Sequence, residues 1–569
     1  MYRKLISLLF LASIMQTSLG ANWTESLGEL QKSDSFNKSY LLGMLTDQSY
    51  GIYKVENLKS RDLVLKLYEN NENKLYWFDE SGIISSEISE LIESIKNSSN
   101  EGLNPNRYHL SEINFINKKI TNSLLFDDRD LKLASTKMDI LLSDAFLTLA
   151  KDLHQGQIDY QGFQDILTVK SEEEDVNYVW SQKLEKFNYL DILKQSRESG
   201  EIKTSLFALT PTTDIYNRFK DAYIRYRDVK NQGGFKKIPK SGTLKVGAKS
   251  NVVKALRVRL AQSGDLDYSD EENKRFDDSV KNALKRFQKR VGIWPAGVLN
   301  ASTRRALNVP ISKRLKKLKL NLERSRWERD SFDNRYVIVN IPEFYMRFMD
   351  SNEELISSRV IVGKPSKPTP IFQSKMSYVV LNPTWSVPNS IIAKEMLEHL
   401  QEDPYYLEDR NYKVYDGWNK KKRKEIDSFD VDWLQYDDAS KIPYNIVQNP
   451  GKRNPLGRMK FMFPNKYAVY LHDTDTKKLF KKPVRAFSHG CIRLYQPQKF
   501  LKFVSNNYMD SSYADVKEKL DSKENESLNL NDKIPVYIRY YTAFVDGDGG
   551  VHFGKDIYGY DKIQQKLLN

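Results

Sequence analysis

Cysteine is almost absent from this chain: Cys491 is the single one in 569 residues. One thiol cannot close an internal disulfide, and it cannot supply a Cys-x-x-Cys redox pair or a multi-cysteine zinc site. Histidine is scarce as well, six in all, and no His-Glu-x-x-His run is present. Past the first twenty residues no apolar run approaches the ~18 residues that a membrane-spanning helix requires. Acidic residues are outnumbered, 75 Asp and Glu against 89 Lys and Arg, for a net charge of +14. What is there is 40% hydrophobic and 12% aromatic residues. That is enough to bury several cores, at a length that suits about three or four domains.

The opening "MYRKLISLLFLASIMQTSLGANW" sets Arg3 and Lys4 before an apolar stretch from Leu5 to Met15, then small residues Ser18 and Gly20 ahead of Ala21. That order is the layout of a secretory signal, too short to span a bilayer, with cleavage expected near Gly20/Ala21. No cysteine lies near the cut, which excludes a lipoprotein anchor. The expectation is a protein exported to the periplasm, with 1–20 removed and no stable membrane anchor. Export makes nucleic acid an unsuitable partner despite the positive charge. Lysines on solvated helix faces account for most of the excess, with weak attraction to an acidic envelope polymer or membrane as its functional reading. Structural cysteines in exported proteins come in pairs, so Cys491 is either buried and inert or kept for its chemistry.

Residues 39–240 read as mostly helical. In "LASTKMDILLSDAFLTLAKDLHQG" the residues Ala134, Met138, Leu141, Ala145, Leu149 and Leu153 recur every three or four positions and Gly156 is a natural stop. The spacing predicts a long helix whose one apolar stripe needs a partner. His109 and His154 have no ligand set around them and are read as structural or surface residues. After the basic, Gly-containing "KNQGGFKKIPKSGTLKVG", residues 243–310 suit three short helices. Ser250 caps one, Asp277 caps another, a third follows Ser302, and Phe287 and Trp294 fill the middle. Over 336–569 strands take over, in "YVIVNIPEFYMRFMD", "SSRVIVG", "MSYVVLNP", "YAVYLH" and "IPVYIRYY". The charged, aromatic and partly helical segment 390–445 interrupts them, as a lid inserted over a site would. Asp546-Gly547-Asp548-Gly549 suits a hairpin turn better than a calcium loop, because Gly550 stands where an EF-hand needs another ligand. The expected fold class is α+β and multidomain.

Two of the six histidines, His472 and His489, lie near Cys491, and His472 ends a strand 19 residues before it. The thiolate is the nucleophilic form of cysteine and needs a base or a positive field to exist at neutral pH, so an ionised sulfur beside an imidazole is expected. If 489–493 is extended, alternation puts His489, Cys491 and Arg493 on one face. Gly490 then lets the N–H groups around Gly490 and Cys491 approach a carbonyl as an oxyanion hole. Two other readings stand beside this one. Cysteines in strands are often buried and inert. His472, His489, Cys491 and Asp473 also make a candidate zinc set, without the closed four-ligand spacing such sites favour.

"VYLHDTDTKKLFKKPVRAFSHGCIRL" resembles the active-site signature of L,D-transpeptidases, the YkuD-type catalytic family, in which a histidine is followed by Ser-His-Gly-Cys. "RVIVGKPSKPTPIF", "LNPTWSVPNSI", "NPGKRNPLGRMKFMFPN" and "FGKDIYGYD" extend the resemblance to the large, lidded Gram-negative type with a helical scaffold domain. "VVKALRVRLAQSG" and "FDDSVKNALKRFQKRVGIWPAGVLNASTRRALN" resemble the peptidoglycan-binding three-helix module of secreted wall enzymes, with Ala296-Gly297 where Asp-Gly is usual. The resemblance implies that Cys491 attacks the carbonyl of the third residue of a tetrapeptide stem, releasing D-alanine and forming a thioester. It makes His472 the general base and acid, its ring oriented by the Asp473 carbonyl, and gives Ser488, His489 and Gly490 supporting or oxyanion roles. Arg493, Tyr470 and Trp385 are implied substrate contacts. The side-chain amine of a second stem then takes the acyl group, forming a 3-3 cross-link. No cofactor or metal is implied. The implied partners are peptidoglycan stem peptides and other cell-wall synthesis enzymes, the wider role is wall biogenesis and cell shape, and a carbapenem would acylate the same thiol. Hydrolysis at this site by a carboxypeptidase or amidase, attachment of a protein to the stem, and a catalytically inactive wall-binding scaffold remain as alternatives.

Overall fold

The computed structural model describes residues 34–46, 53–79, 82–83, 85–121, 128–182, 184, 186–267, 272–328, 332–351, 353–419 and 422–568. The expected signal segment 1–20 lies outside them. Among the described residues no helix is long and apolar enough to cross a membrane.

The N-terminal part is helical and organised around α1 (Asp128–Gln155), which ends at Gly156 with φ +83. Where periodicity predicted one apolar stripe, the structure buries this helix nearly all round from Ala134 to Leu153, because other helices pack on several sides of it. Its polar positions are satisfied inside. Asp139 accepts the Tyr68 hydroxyl at 2.6 Å, Asp144 bonds His109 Nε2 at 2.7 Å, and Asp152 accepts the Tyr108 hydroxyl at 2.9 Å. His154 meets the Tyr189 hydroxyl at 3.0 Å. Both histidines of this region are therefore structural.

A further helix, α2 (Asp214–Asn231), precedes the small module of α3 (Asn251–Gln262), α4 (Asp278–Arg290) and α5 (Ala301–Leu307). The side chains of Ser250 and Asp277 cap α3 and α4, as expected of those residues. The third helix starts earlier than anticipated, capped by Asn300. Phe287 is in the shared core with Leu256, Leu260, Phe276, Leu284 and Leu299. Trp294 is not: it is 84% exposed. The Ile293 N–H folds back to the Gln288 carbonyl, and the loop that follows crosses outside α4 over Lys281 and Lys285. A Cβ at Gly297 would fall 2.8 Å from Lys281 Cγ. Phe276 and Leu299 take the interior that the tryptophan was expected to fill.

Next, α6 (Ile311–Arg326) ties the parts together. Its buried Glu323 accepts the Gln157 N–H at 2.6 Å, and its buried Arg324 pairs with Asp561 at 2.7 Å.

The C-terminal part is β-rich. Its strands are β1 (Arg335–Asn340), β2 (Tyr345–Asp350), β3 (Glu353–Gly363), β4 (Phe372–Leu381), β5 (Trp385–Ser386), β6 (Tyr412–Tyr415), β7 (Glu425–Ile426), β8 (Asn445–Gln448), β9 (Met459–Met462), β10 (Leu471–His472), β11 (Ala486–Ser488), β12 (Ile492–Leu494) and β13 (Glu526–Arg539). A nine-stranded sheet runs in the order β11-β3-β12-β10-β9-β4-β13-β1-β2. The long β3 also pairs with β2, so the sheet curls back on itself around a core that includes Val337, Val360, Val379, Phe461, Leu471 and Ile492. β5 to β8 form a separate four-stranded sheet, order β5-β8-β6-β7. It has its own core of Val387, Ile392, Leu400, Val414, Trp433 and Ile446. The insertion that read as partly helical is thus a small body with a sheet. Its strands are two to four residues long, too short for alternation to show. A hairpin of β14 (Ala543–Val545) and β15 (Val551–Phe553) turns at Asp546–Gly550. It contacts α4 through Arg290 on the Val551 carbonyl at 2.6 Å and α2 through Arg225 on the Gly549 carbonyl at 2.7 Å.

Candidate active site

Two neighbouring strands build the site. β10 and β12 run parallel, Leu471 opposite Ile492 and His472 opposite Arg493. Leu471 and Ile492 are fully buried in the sheet core. Alternation therefore turns His472, Arg493 and, one step back on each chain, Tyr470 and Cys491 to the other face. Lys460 of β9 pairs with His472 on that face.

The condition that would put His489 on the thiol's face, an extended 489–493, is met only at Ile492 and Arg493. β11 ends at Ser488, β12 begins at Ile492, and Gly490 lies between them at φ +116. Both arms pair with β3, β11 in parallel at Val362 and Gly363 and β12 antiparallel at Val360 and Ile361. The chain must therefore reverse within a few residues, at a φ that glycine adopts without a steric cost. This turn separates His489 from the thiol's face. His489 Nε2 lies instead 3.3 Å from Glu395 of the inserted body. Ser488 Oγ donates to the Cys491 carbonyl at 2.5 Å and accepts the Gly490 N–H at 3.3 Å. One of the two expected oxyanion donors, the Gly490 amide, is thus engaged inside the turn.

Cys491 is half-buried. Its Sγ lies 3.7 Å from the Ala468 carbonyl and is hydrogen-bonded by Tyr470. Burial pushes the thiol up, against the pull of Tyr470 and of the charges on Lys460 and Arg493. His472 is buried and pushed down to about 3, first by burial and then by Arg493, with Lys460 and Lys477 adding to it; the Asp473 carbonyl opposes this too weakly. Its Nδ1 has no well-formed hydrogen bond. Both shifts favour the uncharged forms, a thiol and a neutral imidazole, where the sequence pointed to an ionised sulfur. Among the described residues no hydrogen bond joins the two.

Arg493 Nη1 donates to Thr476 Oγ1 at 3.1 Å, while its buried Nε has no partner among the described residues. The Asp473 carboxylate is committed elsewhere: it accepts the Arg458 N–H at 2.9 Å and pairs with Lys477. It braces the turn at Gly457, where a Cβ would fall 2.4 Å from Asp473. Trp385 stands on β5, an edge strand of the inserted sheet, with its ring 6.4 Å from that of Tyr412. The candidate zinc set does not assemble, since the turn parts His489 from Cys491. Among the described residues no group of three or more His, Cys, Asp or Glu is placed to hold a metal. Lys460, Lys477 and Arg493 around His472, with Lys364 and Lys367 beside His489, make a cationic rim suited to an anionic peptide.

Two residues behind the turn lie in the segments "RVIVGKPSKPTPIF" and "FGKDIYGYD" that extend the resemblance, but neither stood out there as a site residue. Thr369 Oγ1 donates to the Gly490 carbonyl at 2.8 Å and accepts the Gly363 N–H at 2.9 Å. The Tyr558 hydroxyl donates to the Gly363 carbonyl at 2.8 Å and accepts the Thr369 N–H at 3.1 Å. Both lie in short loops without periodicity, and Gly363 itself has no room for a side chain, a Cβ there falling 2.2 Å from the Lys367 carbonyl.

Residues 334–536 match the YkuD family, described as an L,D-transpeptidase catalytic domain; residues 62–222 match a scaffold domain and 249–307 a "Putative peptidoglycan binding domain". A Haemophilus influenzae protein described as "Putative L,D-transpeptidase" is 34% identical over 259 residues, 45% of this chain and 50% of that protein. The chain thus spans about half the length of the curated relative it matches. Among solved structures, an L,D-transpeptidase from Mycobacterium smegmatis overlaps 37% of this chain and 60% of its own, at 13% identity and TM-score 0.17. One from Xylanimonas cellulosilytica overlaps 53% and 99%, at 11% identity and TM-score 0.16.

Proposed function

The chain carries an L,D-transpeptidase catalytic domain of the YkuD family, and on that premise we propose that it is an exported peptidoglycan L,D-transpeptidase with Cys491 as nucleophile and His472 as general base and acid. The observation that carries this reading is the pairing of β10 with β12. It puts the chain's one thiol and a buried, unprotonated imidazole on the same face of two adjacent strands.

The reaction requires Sγ to leave Tyr470 and meet the His472 ring. The imidazole takes the thiol proton as the sulfur bonds to the carbonyl carbon of the third stem residue, and the Cys491 N–H receives the developing oxyanion. The bond to the terminal D-alanine breaks, its nitrogen takes the proton from His472, and a thioester remains. The side-chain amine of a second stem then attacks the thioester and gives a proton to His472, which returns it to the departing sulfur. An imidazole held near 3 is a weak base, and the cause suggests the remedy. A stem carboxylate against Arg493 and Lys460 neutralises two of the charges that hold His472 down, so the donor itself raises the base.

The inserted body, in contact with the catalytic turn through Glu395 and His489, acts as the cover that keeps water from the thioester. Residues 249–307 act as a wall-binding module. The test is mass analysis of products made from purified tetrapeptide stems by the native chain and by Cys491→Ala. Cross-linked dimers with free D-alanine, absent with Cys491→Ala, are expected. Dimers from both proteins would overturn the assignment of Cys491. Tripeptide alone from the native chain would replace transfer with hydrolysis.

A further inference from the structure

The Gly490–Cys491 peptide is planar and trans, as is every described peptide bond, so its carbonyl and its N–H point in opposite directions. Whatever holds the Gly490 carbonyl therefore aims the Cys491 N–H. Thr369 Oγ1 holds that carbonyl at 2.8 Å. The Thr369 side chain is fixed in turn from two sides, by the Gly363 N–H on its Oγ1 and by Tyr558, whose hydroxyl clasps the Thr369 N–H and the Gly363 carbonyl together. Thr369 and Gly490 O are fully interior, and a hydroxyl there is worth more than at the surface because water cannot replace it. The opposite end of the peptide has no competing partner: among the described residues no acceptor takes the Cys491 N–H.

We infer that Thr369, backed by Tyr558, is a positioning residue that aims the Cys491 amide at the oxyanion of the acyl-transfer step. This rests on the reading of Cys491 as the nucleophile. Tyr558 lies beyond residues 334–536, so the chain's C-terminal tail contributes to the site from outside the matched catalytic region.

Two reagents separate aim from general damage. A carbapenem acylates the thiol through an oxyanion; iodoacetamide alkylates it by displacement at carbon, which forms none. In the full chain, Thr369→Val is expected to slow carbapenem acylation by roughly 10- to 100-fold, since losing an oxyanion donor outright costs ~10²–10³. Alkylation of Cys491 should stay within about twofold of the native rate. Thr369→Ser, which keeps the hydroxyl, should restore acylation. Tyr558→Phe leaves the bond to Gly490 in place and should give the same selective loss in smaller measure, which keeps the test open if Thr369→Val does not fold. Equal slowing of both reactions, no slowing of acylation, or failure of Thr369→Ser to rescue would overturn the inference. If the native chain is alkylated but not acylated at Cys491, the nucleophile assignment falls first and this inference with it.

Discussion

Replacing Gly490 with alanine tests whether the turn's geometry, rather than its spaciousness, serves the chemistry. There is room for the methyl group: the nearest heavy atom to an added Cβ is the Pro368 carbonyl oxygen at 3.7 Å, ordinary contact distance. The cost lies in the backbone, because φ is +116 and residues other than glycine pay about 1–3 kcal/mol to stay in such a region. At 1.4 kcal/mol per tenfold, that is roughly 5- to 150-fold in the population of the competent turn. If the turn relaxes to negative φ, the 490–491 peptide rotates, the bond to Thr369 is lost, and acylation slows by about that factor. If the turn holds, the same strain appears as lost stability of the catalytic domain. The assay is carbapenem acylation of Gly490→Ala followed by mass, beside denaturant unfolding of the same protein. Acylation within twofold of native together with an unshifted unfolding midpoint would refute the reasoning, since the strain would then have gone nowhere.

The titration of the site gives a second test: a base pushed down to about 3 in the free protein stays unprotonated throughout the range where an ordinary histidine gains its proton. The acid limb of kcat/KM should therefore lie well below pH 6.5, that of kcat higher because bound substrate offsets Arg493 and Lys460, and alkylation of Cys491 should keep rising past the pH at which an ordinary cysteine ionises, because burial raises its thiol. Arg493→Ala should raise KM for a carboxylate-bearing donor about tenfold or more, while a donor amidated at that carboxylate should lose little, as measured by initial rates. Glu395→Gln removes a contact between half-exposed groups. Stability should change by less than about 1 kcal/mol, while the ratio of hydrolysis to transfer in single turnovers should rise; an unchanged ratio counts against the cover. Trp294→Ala should leave unfolding within about 0.5 kcal/mol of native, whereas Phe287→Ala, in the module's core, should cost about 3–5 kcal/mol.

Local pattern determined much of this protein by itself. A helix stripe such as Ala134 to Leu153, caps such as Ser250 and Asp277, and the β-branched and aromatic runs from Tyr336 are short-range signals, since turn period, capping and strand propensity are properties of a few consecutive residues. The same holds for the candidate site's membership: with one cysteine and few histidines, Cys491 and His472 stand out in the chain without reference to space. Trp294 shows where that reasoning stops, because its neighbours in sequence cannot tell whether Phe276 and Leu299 have already filled the core. The inserted sheet likewise escaped notice, its strands being too short to alternate. Only the tertiary structure decided that Gly490 breaks the run between His489 and Cys491, since the need to turn comes from β3, more than a hundred residues earlier, pairing with both arms. The direction of the pKa shifts depends on the fold too, through burial and the charges of Lys460 and Arg493 on the strands beside His472, while Lys477 is a near neighbour in sequence. Thr369 and Tyr558, 121 and 189 residues from their bonded partners Gly490 and Thr369, meet only when the sheet curls back and the C-terminal tail closes over it. A window of sequence displays each of these segments but not their meeting.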